Sequence, residues 1–439
     1  MNNDLKTLLI NEYKNNFPGK IFIPGESVVP VSGKIFDENE ILMATEAVLE
    51  GWWTEGKYSQ QLEQKIASFI GVKSCSLVNS GSSANLIAIT ALTSKKLPEN
   101  KRLKPGDEVI TVAAGFPTTI NPIITNGLVP VFVDVELGYY NPSLNSIKNA
   151  YSDKTRAIII AHTLGNPYEV DKIAEFCQEK NLWLIEDNCD ALGSDYKGKK
   201  TGSFGHISTL SFYPAHHMTT AEGGAVLSND LLLTKIIRSL RDWGRDCWCP
   251  TGKDDTCHNR FGWKLGCLPQ GYDHKYIYSE LGYNLKMTDI QAALGLAQFE
   301  KLPSFVARRK ENFYYLLEKF KKFDKYFILP QYLSEADPSW FGFLLTIKEN
   351  SGINRTALIK YFNSKKIGTR LLFAGNITKQ PYFINNKIDY RVVGELNNTD
   401  TIMNNTFWIG VFPGISLQML DYISDCFENF LEINLATNK

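Results

Sequence analysis

Residues 211–224 carry the side chains with the clearest chemical potential, and they read Ser-Phe-Tyr-Pro-Ala-His-His-Met-Thr-Thr-Ala-Glu-Gly-Gly. The adjacent imidazoles of His216 and His217 can each accept and release a proton near neutral pH. The segment follows a β-rich stretch at 207–212, and its closing Gly-Gly allows a tight turn. The sequence therefore predicts a loop at a strand end that presents a base, which is either His216 or His217.

A second chemical signal comes from four of the eight cysteines, whose spacing is Cys-x57-Cys-x-Cys-x7-Cys. This spacing matches neither a zinc ribbon nor the common ferredoxin pattern. Four thiolates nevertheless suit zinc or an iron–sulfur cluster. The alternative is a chance grouping of core and loop cysteines. The predicted metal ligands are Cys189, Cys247, Cys249 and Cys257. The remaining cysteines are predicted to be structural: Cys75, Cys177, Cys267 and Cys426.

Three further positions favour a bound phosphate attached to a flat ring. Gly81 and Ser82 lie between a strand and a helix, where backbone N–H groups and hydroxyls can hold a phosphate. Asp187 ends an apolar strand and could pair with a ring nitrogen, and Phe116 follows another strand and could lie over the ring. Each position has a simpler alternative, which is a helix cap for the turn and for Asp187, and core packing for Phe116.

The elements that must position these side chains alternate between strand and helix from residue 75 to 228. This alternation predicts an α/β fold with a mostly parallel sheet covered by helices on both faces. The pattern divides the chain into an N-terminal arm at 1–36, a large α/β domain at 37–300 and a smaller α+β domain at 301–439. Residues 244–281 form a long Cys-rich insertion with little periodicity, and loops of this length are usually functional.

Composition narrows the class of protein. The 439 residues contain 47 Lys plus Arg and 47 Asp plus Glu, so the net charge is zero. A balanced charge argues against binding to nucleic acid or to a membrane surface. The first residues are polar without the apolar core of a signal peptide, and no apolar run is long enough to span a bilayer. The expected compartment is the cytoplasm.

The 211–224 segment resembles the active-site segment of the DegT/DnrJ/StrS-type sugar aminotransferases, which use pyridoxal phosphate (PLP). In that family a lysine at the position of His216 holds the cofactor as a Schiff base, which a histidine cannot form. The resemblance therefore favours His216 over His217 as the base and implies a cofactor without a covalent anchor. It also implies the fold of the PLP-dependent transferases, which is aspartate aminotransferase-like (fold type I).

Residues 282–287, Gly-Tyr-Asn-Leu-Lys-Met, resemble the family's Gly-x-Asn-x-Arg-Met motif. The family's asparagine reaches the phosphate of the neighbouring subunit, so the resemblance implies that Asn284 is an inter-subunit ligand and that the enzyme is a homodimer. Lys286 stands where the family has arginine.

A histidine at the lysine position, combined with the cysteine spacing, is similar to the iron–sulfur-containing 3-dehydratases of nucleotide-linked 4-keto-6-deoxyhexoses. The resemblance implies pyridoxamine 5′-phosphate (PMP), a [2Fe–2S] cluster on the four predicted cysteines, and an NADH-dependent flavin and iron–sulfur reductase as electron donor. The implied reaction is C3 dehydration, with His216 as the base, in 3,6-dideoxysugar and lipopolysaccharide O-antigen synthesis. CDP-4-keto-6-deoxy-D-glucose is the expected substrate, with GDP and TDP sugars left open. The implied cofactor ligands are Gly81, Ser82, Phe116, Asp187, Ser211 and Asn284, and the implied substrate contacts are His217 and Arg370.

Three other interpretations are open. An aminotransferase would need the missing lysine. A 3-dehydratase that renews its PMP from glutamate would also lack the lysine, but it would not need four cysteines. A zinc-stabilised binding module with a degenerate PLP-type fold would leave the coexistence of Asp187, Phe116 and the phosphate turn unexplained.

Overall fold

An eight-stranded sheet forms the centre of the protein in a computed structural model that describes residues 1–19 and 21–437, with side chains described as far as residue 433. The strand order is β1-β9-β8-β5-β4-β2-β3-β13. Neighbouring strands are parallel except where β9 pairs with β1 and β8. The predicted mostly parallel sheet is therefore confirmed. The strands are β1 (Ser74–Val78), β2 (Glu108–Val112), β3 (Val129–Val133), β4 (Thr155–Ala161), β5 (Trp183–Asp187), β6 (Asp195–Tyr196), β7 (Lys199–Lys200), β8 (Ile207–Ser211), β9 (Gly224–Ser228), β10 (Phe327–Ile328), β11 (Ala336–Asp337), β12 (Gly342–Ile347), β13 (Arg391–Val392) and β14 (Thr406–Gly410).

Helices cover both faces of this sheet and bury two large apolar clusters against it. Strands β2, β5, β8 and β9 are buried along their whole length, as expected for strands covered on both sides. The helices are α1 (Asn3–Asn16), α2 (Glu38–Leu49), α3 (Lys57–Ile70), α4 (Gly81–Ala91), α5 (Pro117–Thr125), α6 (Leu144–Ala150), α7 (Val170–Lys180), α8 (Leu231–Arg241), α9 (Asp289–Phe320), α10 (Arg355–Ser364), α11 (Pro381–Asn385), α12 (Asn397–Asn405) and α13 (Leu417–Thr437).

The C-terminal part of the chain builds a second core. Strands β10, β12 and β14 form a small antiparallel sheet, which packs with α9, α10 and α13 around buried aromatic residues such as Phe313 and Phe427. The 32-residue helix α9 runs unbroken through the domain boundary predicted after residue 300. Strand β13 returns to the edge of the large sheet beside β3, so the two parts of the chain are interlocked.

Residues 244–281 contain one short 3-10 turn, His274–Tyr276, and otherwise follow an irregular path. We call residues 244–281 the cysteine loop. Asp246 forms an ion pair with Lys96, and Glu280 accepts a hydrogen bond from Ser94, so the loop is attached beside the C-terminal end of α4. Across the described residues, no helix combines the length and the apolar character that crossing a membrane requires.

Candidate active site

The N-terminus of α4 and the end of β8 form a close backbone contact. A Cβ atom on Gly81 would lie 2.5 Å from the Cβ of Ser211, so only glycine allows this approach. Ser80 caps the helix by accepting the Ser83 N–H at 3.0 Å. The first N–H groups of a helix have no intrahelical acceptor and attract anions. These features suit a phosphate group, and phosphate binding by Gly81, Ser82 and Ser211 remains a prediction.

Asp187 ends β5 and is 5% exposed. Its Oδ2 atom accepts hydrogen bonds from Asn85 Nδ2 at 2.8 Å and from Thr119 Oγ1 at 2.6 Å. Its Oδ1 atom accepts the backbone N–H of Cys189 at 3.2 Å. Three donors fix this carboxylate at the carboxyl edge of the sheet, where ligands of α/β proteins bind. A carboxylate held in this way is suited to pairing with a protonated ring nitrogen.

Phe116 is 48% exposed, and its ring meets that of Phe373 edge-on, with ring centres 6.0 Å apart. It directly precedes α5, whose first turn supplies Thr119 to Asp187. Phe116 is therefore half-exposed at the N-terminus of the helix that contacts the buried acid. Its predicted position over a flat cofactor ring remains a prediction.

His216 lies in a turn in which its backbone N–H donates to Tyr213 O at 2.9 Å. Its Nδ1 atom is 3.3 Å from Asp190 Oδ1, an ion-pair distance without hydrogen-bond alignment. Its ring packs against Phe341, with centres 5.2 Å apart. The buried guanidinium of Arg309 donates to the His216 carbonyl at 3.1 Å. The imidazole is therefore held in place with a carboxylate on its Nδ1 side.

His217 has a different environment, because it is 2% exposed and its Nε2–H donates to Ser339 O at 2.8 Å. Burial, and secondly the charge of Arg309, lower the pKa of His217 well below its usual value, so the ring is neutral. The hydrogen bond from Nε2 therefore gives His217 a structural role in the folded chain. The predicted substrate contact by His217 remains a prediction.

Two other predicted ligands lie at the surface. Arg370 is exposed, and its Nη1 donates to Thr369 O at 2.9 Å, so the guanidinium keeps free donors. Asn284 is also exposed, and its Oδ1 accepts a bond from Lys286 Nζ at 3.2 Å. Lys286 in turn pairs with Asp242 at 3.0 Å and lies 3.6 Å from the ring centre of Trp243. The carbonyl of Leu285, next to Asn284, accepts the backbone N–H of Asn79 at 2.8 Å, just before the phosphate turn.

Three predicted metal ligands converge inside the cysteine loop. The Sγ atoms of Cys247, Cys249 and Cys257 lie 3.4, 4.0 and 3.9 Å from His274 Nε2. Among the described residues, the ligand atoms of Cys247, Cys249 and His274 all lie within 4.8 Å of one another. His274 is fully buried although the loop is irregular. This cluster of soft donors fits a thiophilic metal centre of zinc or iron–sulfur type.

The fourth predicted ligand, Cys189, is not part of this described group. It follows Asp187 at the carboxyl edge of β5, and its Sγ is 4.0 Å from Thr209 Oγ1. Burial, and then the neighbouring Asp187 charge, raise the pKa of the Cys189 thiol well above its usual value. The structure therefore places one predicted ligand at the cofactor pocket and three on the loop.

Thiols on the loop influence each other's protonation. Burial raises the pKa of Cys247 to about 11. Burial acts in the same direction on Cys249, but hydrogen bonds from Thr256 and from the Cys257 backbone outweigh it and lower the Cys249 pKa. The ligand atoms of Cys247 and Cys249 lie within 4.8 Å of each other, which is close enough to share a metal centre.

Sequence reasoning missed the residues that orient the predicted ones, which are Asn85, Thr119, Asp190, His274 and Arg309. Asn85 lies one turn after Gly81 on α4, and Thr119 lies in the first turn of α5, so helix periodicity could have indicated both. Arg309 lies far along α9, and no local pattern connects it with His216.

The chemistry of these residues fits a vitamin B6 phosphate that is not covalently attached. The glycine contact and hydroxyls suit the phosphate, and the fixed acid suits a pyridine nitrogen. The chain has no lysine between Lys200 and Lys235. Lys200 itself forms an ion pair with Asp195 at 2.5 Å, away from the phosphate turn.

Fold and site together define a B6-type enzyme of the PLP-dependent transferase class in which a histidine stands at the lysine position. The chain belongs to the DegT/DnrJ/EryC1/StrS aminotransferase family, whose model matches residues 34–428. The predicted family and fold are thereby confirmed.

Sequence relatives and solved structures indicate which reaction class within the family this chain resembles. The chain is 56% identical over 427 residues to the lipopolysaccharide biosynthesis protein RfbH of Salmonella typhimurium, covering 97% of each chain. It is 50% identical to dTDP-4-dehydro-2,6-dideoxy-D-glucose 3-dehydratase of Saccharopolyspora spinosa, covering 96% of this chain and 90% of that protein. A solved structure of the Escherichia coli GDP-4-keto-6-deoxy-D-mannose-3-dehydratase with bound hydrated PLP has a TM-score of 0.81 at 31% identity, over 91% of this chain and 98% of that one. These similarities support a PMP-dependent lyase of the nucleotide-sugar 3-dehydratase class.

Proposed function

We propose that this enzyme removes the C3 oxygen of a nucleotide-linked 4-keto-6-deoxyhexose, using PMP and a [2Fe–2S] cluster. One observation carries the proposal: His216, for which the family resemblance implies the lysine position, is an imidazole held beside Asp190. The site keeps the acid and the phosphate turn of those enzymes but has lost their covalent anchor. A base without an anchor suits elimination better than amino transfer.

Gly81, Ser82 and Ser211 would hold the phosphate of the cofactor, and Asp187 would hold its ring nitrogen, with Phe116 against the ring. Bound there, PMP supplies an amine for the C4 ketone and an electron-accepting ring. Asn85 and Thr119 keep the Asp187 carboxylate aimed at the ring through hydrogen bonds of 2.8 and 2.6 Å. Hydrogen bonds to a carboxylate stabilise its charged form, which in turn favours a protonated ring nitrogen.

His216 performs the proton transfers. Its Nδ1 side faces Asp190, so Nε2 is the nitrogen that accepts a proton and returns it to the departing C3 hydroxyl. Asp190 stabilises the imidazolium that forms between these two events. Arg309 and Phe341 hold the ring in position while the proton moves.

The net replacement of C3–OH by C3–H consumes two electrons and two protons and releases one water. The four predicted cysteines, Cys189, Cys247, Cys249 and Cys257, would hold the cluster, and thiolates are its usual ligands. NADH provides the two electrons through a flavin and iron–sulfur reductase, which is the partner this chemistry requires. A zinc ion on the same thiols could not change its oxidation state and would leave the reaction without electrons.

CDP-4-keto-6-deoxy-D-glucose is our first choice of substrate, and the product then enters 3,6-dideoxysugar and O-antigen synthesis. The 56% identity to a lipopolysaccharide biosynthesis protein supports this setting. Related 3-dehydratases act on dTDP and GDP sugars, so these nucleotides are the alternatives. The free donors of Arg370 suit a sugar or diphosphate oxygen. We place the enzyme in the cytoplasm as a homodimer, in which Asn284 reaches the phosphate of the partner.

The test is turnover of a panel of CDP-, GDP- and dTDP-4-keto-6-deoxyhexoses by protein loaded with PMP and reconstituted with iron and sulfide. NADH and an iron–sulfur flavin reductase supply the electrons. We expect a 3-deoxy sugar, fastest with CDP, and no product from His216→Asn. A product that keeps its C3 oxygen and carries a new amino group would identify an aminotransferase and refute the proposal.

A glutamate-dependent 3-dehydratase is the second candidate, because related structures include a GDP-4-keto-6-deoxymannose-3-dehydratase with a trapped PLP–glutamate geminal diamine. The converging thiols of the cysteine loop have no function in that chemistry. Sustained turnover with glutamate in place of NADH and reductase would favour this candidate.

A further inference from the structure

The four predicted cluster ligands belong to two separate places in one chain. Three thiols gather around His274 in the cysteine loop, whereas Cys189 lies two residues after Asp187, beyond the end of β5. A cluster that needs all four must bring these two places together. Either the loop moves within its own chain, or a second chain supplies the missing thiol.

Sheet geometry separates the two places. Strands β8 and β9 lie between β5 and β1, so β5 and β1 are about 14 Å apart at ~4.8 Å per strand. The loop is attached at the β1 side, where Thr251 donates to Glu55 at 3.1 Å and Glu55 pairs with Arg241 at 2.7 Å. Arg241 in turn donates to Leu77 O, on β1, at 3.0 Å. These contacts attach the loop on the β1 side of the sheet, three strands away from β5.

Several apolar side chains of the cysteine loop are exposed. Leu281 is 94% exposed, Tyr276 61%, Phe261 58% and Trp248 57%. Exposed aromatic groups of this density mark contact surfaces. Asn284, the predicted inter-subunit ligand, is exposed three residues after Leu281, although the flanking Tyr283 and Leu285 pack against the core.

We propose that the cluster is assembled across the two-fold axis of a homodimer, from Cys247, Cys249 and Cys257 of one subunit and the partner subunit's Cys189. The surface around Leu281 is then covered by a second copy of this chain. Two-fold symmetry makes two equivalent sites, and each places the iron next to the pocket of the partner. This inference rests on the proposed function, which supplies the [2Fe–2S] cluster that the four cysteines would bind.

His274 is the competing fourth donor, since it lies near all three loop thiols. Its ring also packs edge-on against Trp263, with centres 5.0 Å apart, which gives it a structural place in the loop. A Cys3His site would be complete within one chain and would not involve Cys189. An experiment that combines two variant subunits in one dimer distinguishes the Cys3His site from the shared four-cysteine site.

The experiment co-expresses Cys189→Ser and Cys247→Ser subunits with different tags and purifies the doubly tagged dimer. After anaerobic reconstitution, iron, acid-labile sulfide and visible absorption are measured per dimer. Each single-variant homodimer should lose at least 90% of its iron. The mixed dimer should recover about half of the wild-type value, because one of its sites is intact and the other has both defects. Cys267→Ser, which changes the exposed cysteine of the same loop, is the control that keeps full iron.

Three results would overturn the inference. A mixed dimer without iron would place all four ligands in one chain. Full iron in the Cys189→Ser homodimer, with loss in His274→Ala, would make His274 the ligand. A monomeric wild-type protein would exclude a shared site.

Absence of any cluster in wild-type protein would instead refute the proposed function. Bound PMP, measured by absorbance, reports that each variant is folded, and Cys189→Ala is the second variant at that position.

Discussion

His216 and His217 are neighbours in the chain with opposite environments. One ring is partly open and faces Asp190, while the other is buried with its Nε2–H on a carbonyl oxygen. Replacing the base should slow proton transfer by about 10²- to 10⁴-fold without weakening cofactor binding. We therefore expect His216→Asn to bind PMP normally yet lose exchange of the C4′ hydrogen with deuterium oxide.

His217→Asn is the matched control for that measurement. It removes an equal imidazole one residue away, so it should retain exchange within roughly tenfold if its role is structural. Exchange that persists in His216→Asn and disappears in His217→Asn would show that the two roles are reversed.

The buried imidazole of His217 should also make the stability of the folded protein depend on pH in the acid range. The pKa of His217 is lowered in the folded protein, so between that value and the usual ~6.5 the unfolded chain binds more protons. This stabilising contribution is complete above pH ~6.5 and decreases as pH falls below it. Urea denaturation from pH 7.5 to 5 should give a steeper loss of unfolding free energy for wild type than for His217→Gln, by up to ~1.4 kcal/mol per pH unit. Equal slopes would contradict this assignment.

At the scale of elements, the contact between α4 and β8 determines whether the phosphate turn can form. Gly81→Ala would place its Cβ 2.5 Å from the Ser211 Cβ, so the helix must move. Such overpacking costs about 1–3 kcal/mol, and we expect PMP binding at least tenfold weaker by absorbance titration. Gly19→Ala, which meets no atom within 4 Å, should bind normally. Unchanged affinity in Gly81→Ala would exclude this turn as the phosphate site.

Most of these elements could be predicted because their signals are local. The helix at 170–180 and the strand at 129–133 both fall within the strand–helix alternation predicted for residues 75–228, and Asn181 in a left-handed conformation ends the helix. Strand β13 could not be predicted, because two residues pair with β3 across more than 250 positions. Tertiary packing determines this strand, and such packing produces no periodic pattern in the sequence.

The residues of the candidate site also divide into those that local sequence patterns predicted and those that only the folded structure brings together. The strand pattern indicated Asp187, and the family motif indicated Ser211 and His216, because each lies at or shortly after the end of a recognisable strand. His274 lies 17 residues after Cys257, a spacing that matches no metal motif, and only the folded loop brings it to the thiols. The position of Cys189 relative to the loop depends on strand order, which spacing along the chain does not contain.

For the whole molecule, the proposal separates elimination from reduction. Elimination uses the pocket, and reduction uses the thiols of the loop, so damage to one should spare the other. Cys247→Ser should lose its iron and form less than a tenth of the 3-deoxy product with NADH and reductase. It should still exchange the C3 oxygen with water. Cys267→Ser should behave like wild type. If Cys247→Ser lost C3 exchange as well, the two functions would not be separable.

Oxygen exchange at C3 is the most direct test of the central claim, because it needs neither electrons nor a partner protein. PMP-loaded protein is incubated with CDP-4-keto-6-deoxy-D-glucose in ¹⁸O-labelled water, and the sugar is analysed by mass spectrometry after the faster exchange of the C4 ketone is washed out. We predict ¹⁸O at C3 with wild type and none with His216→Asn. Sugar that binds, also in its GDP and dTDP forms, but never acquires label at C3 would contradict the account.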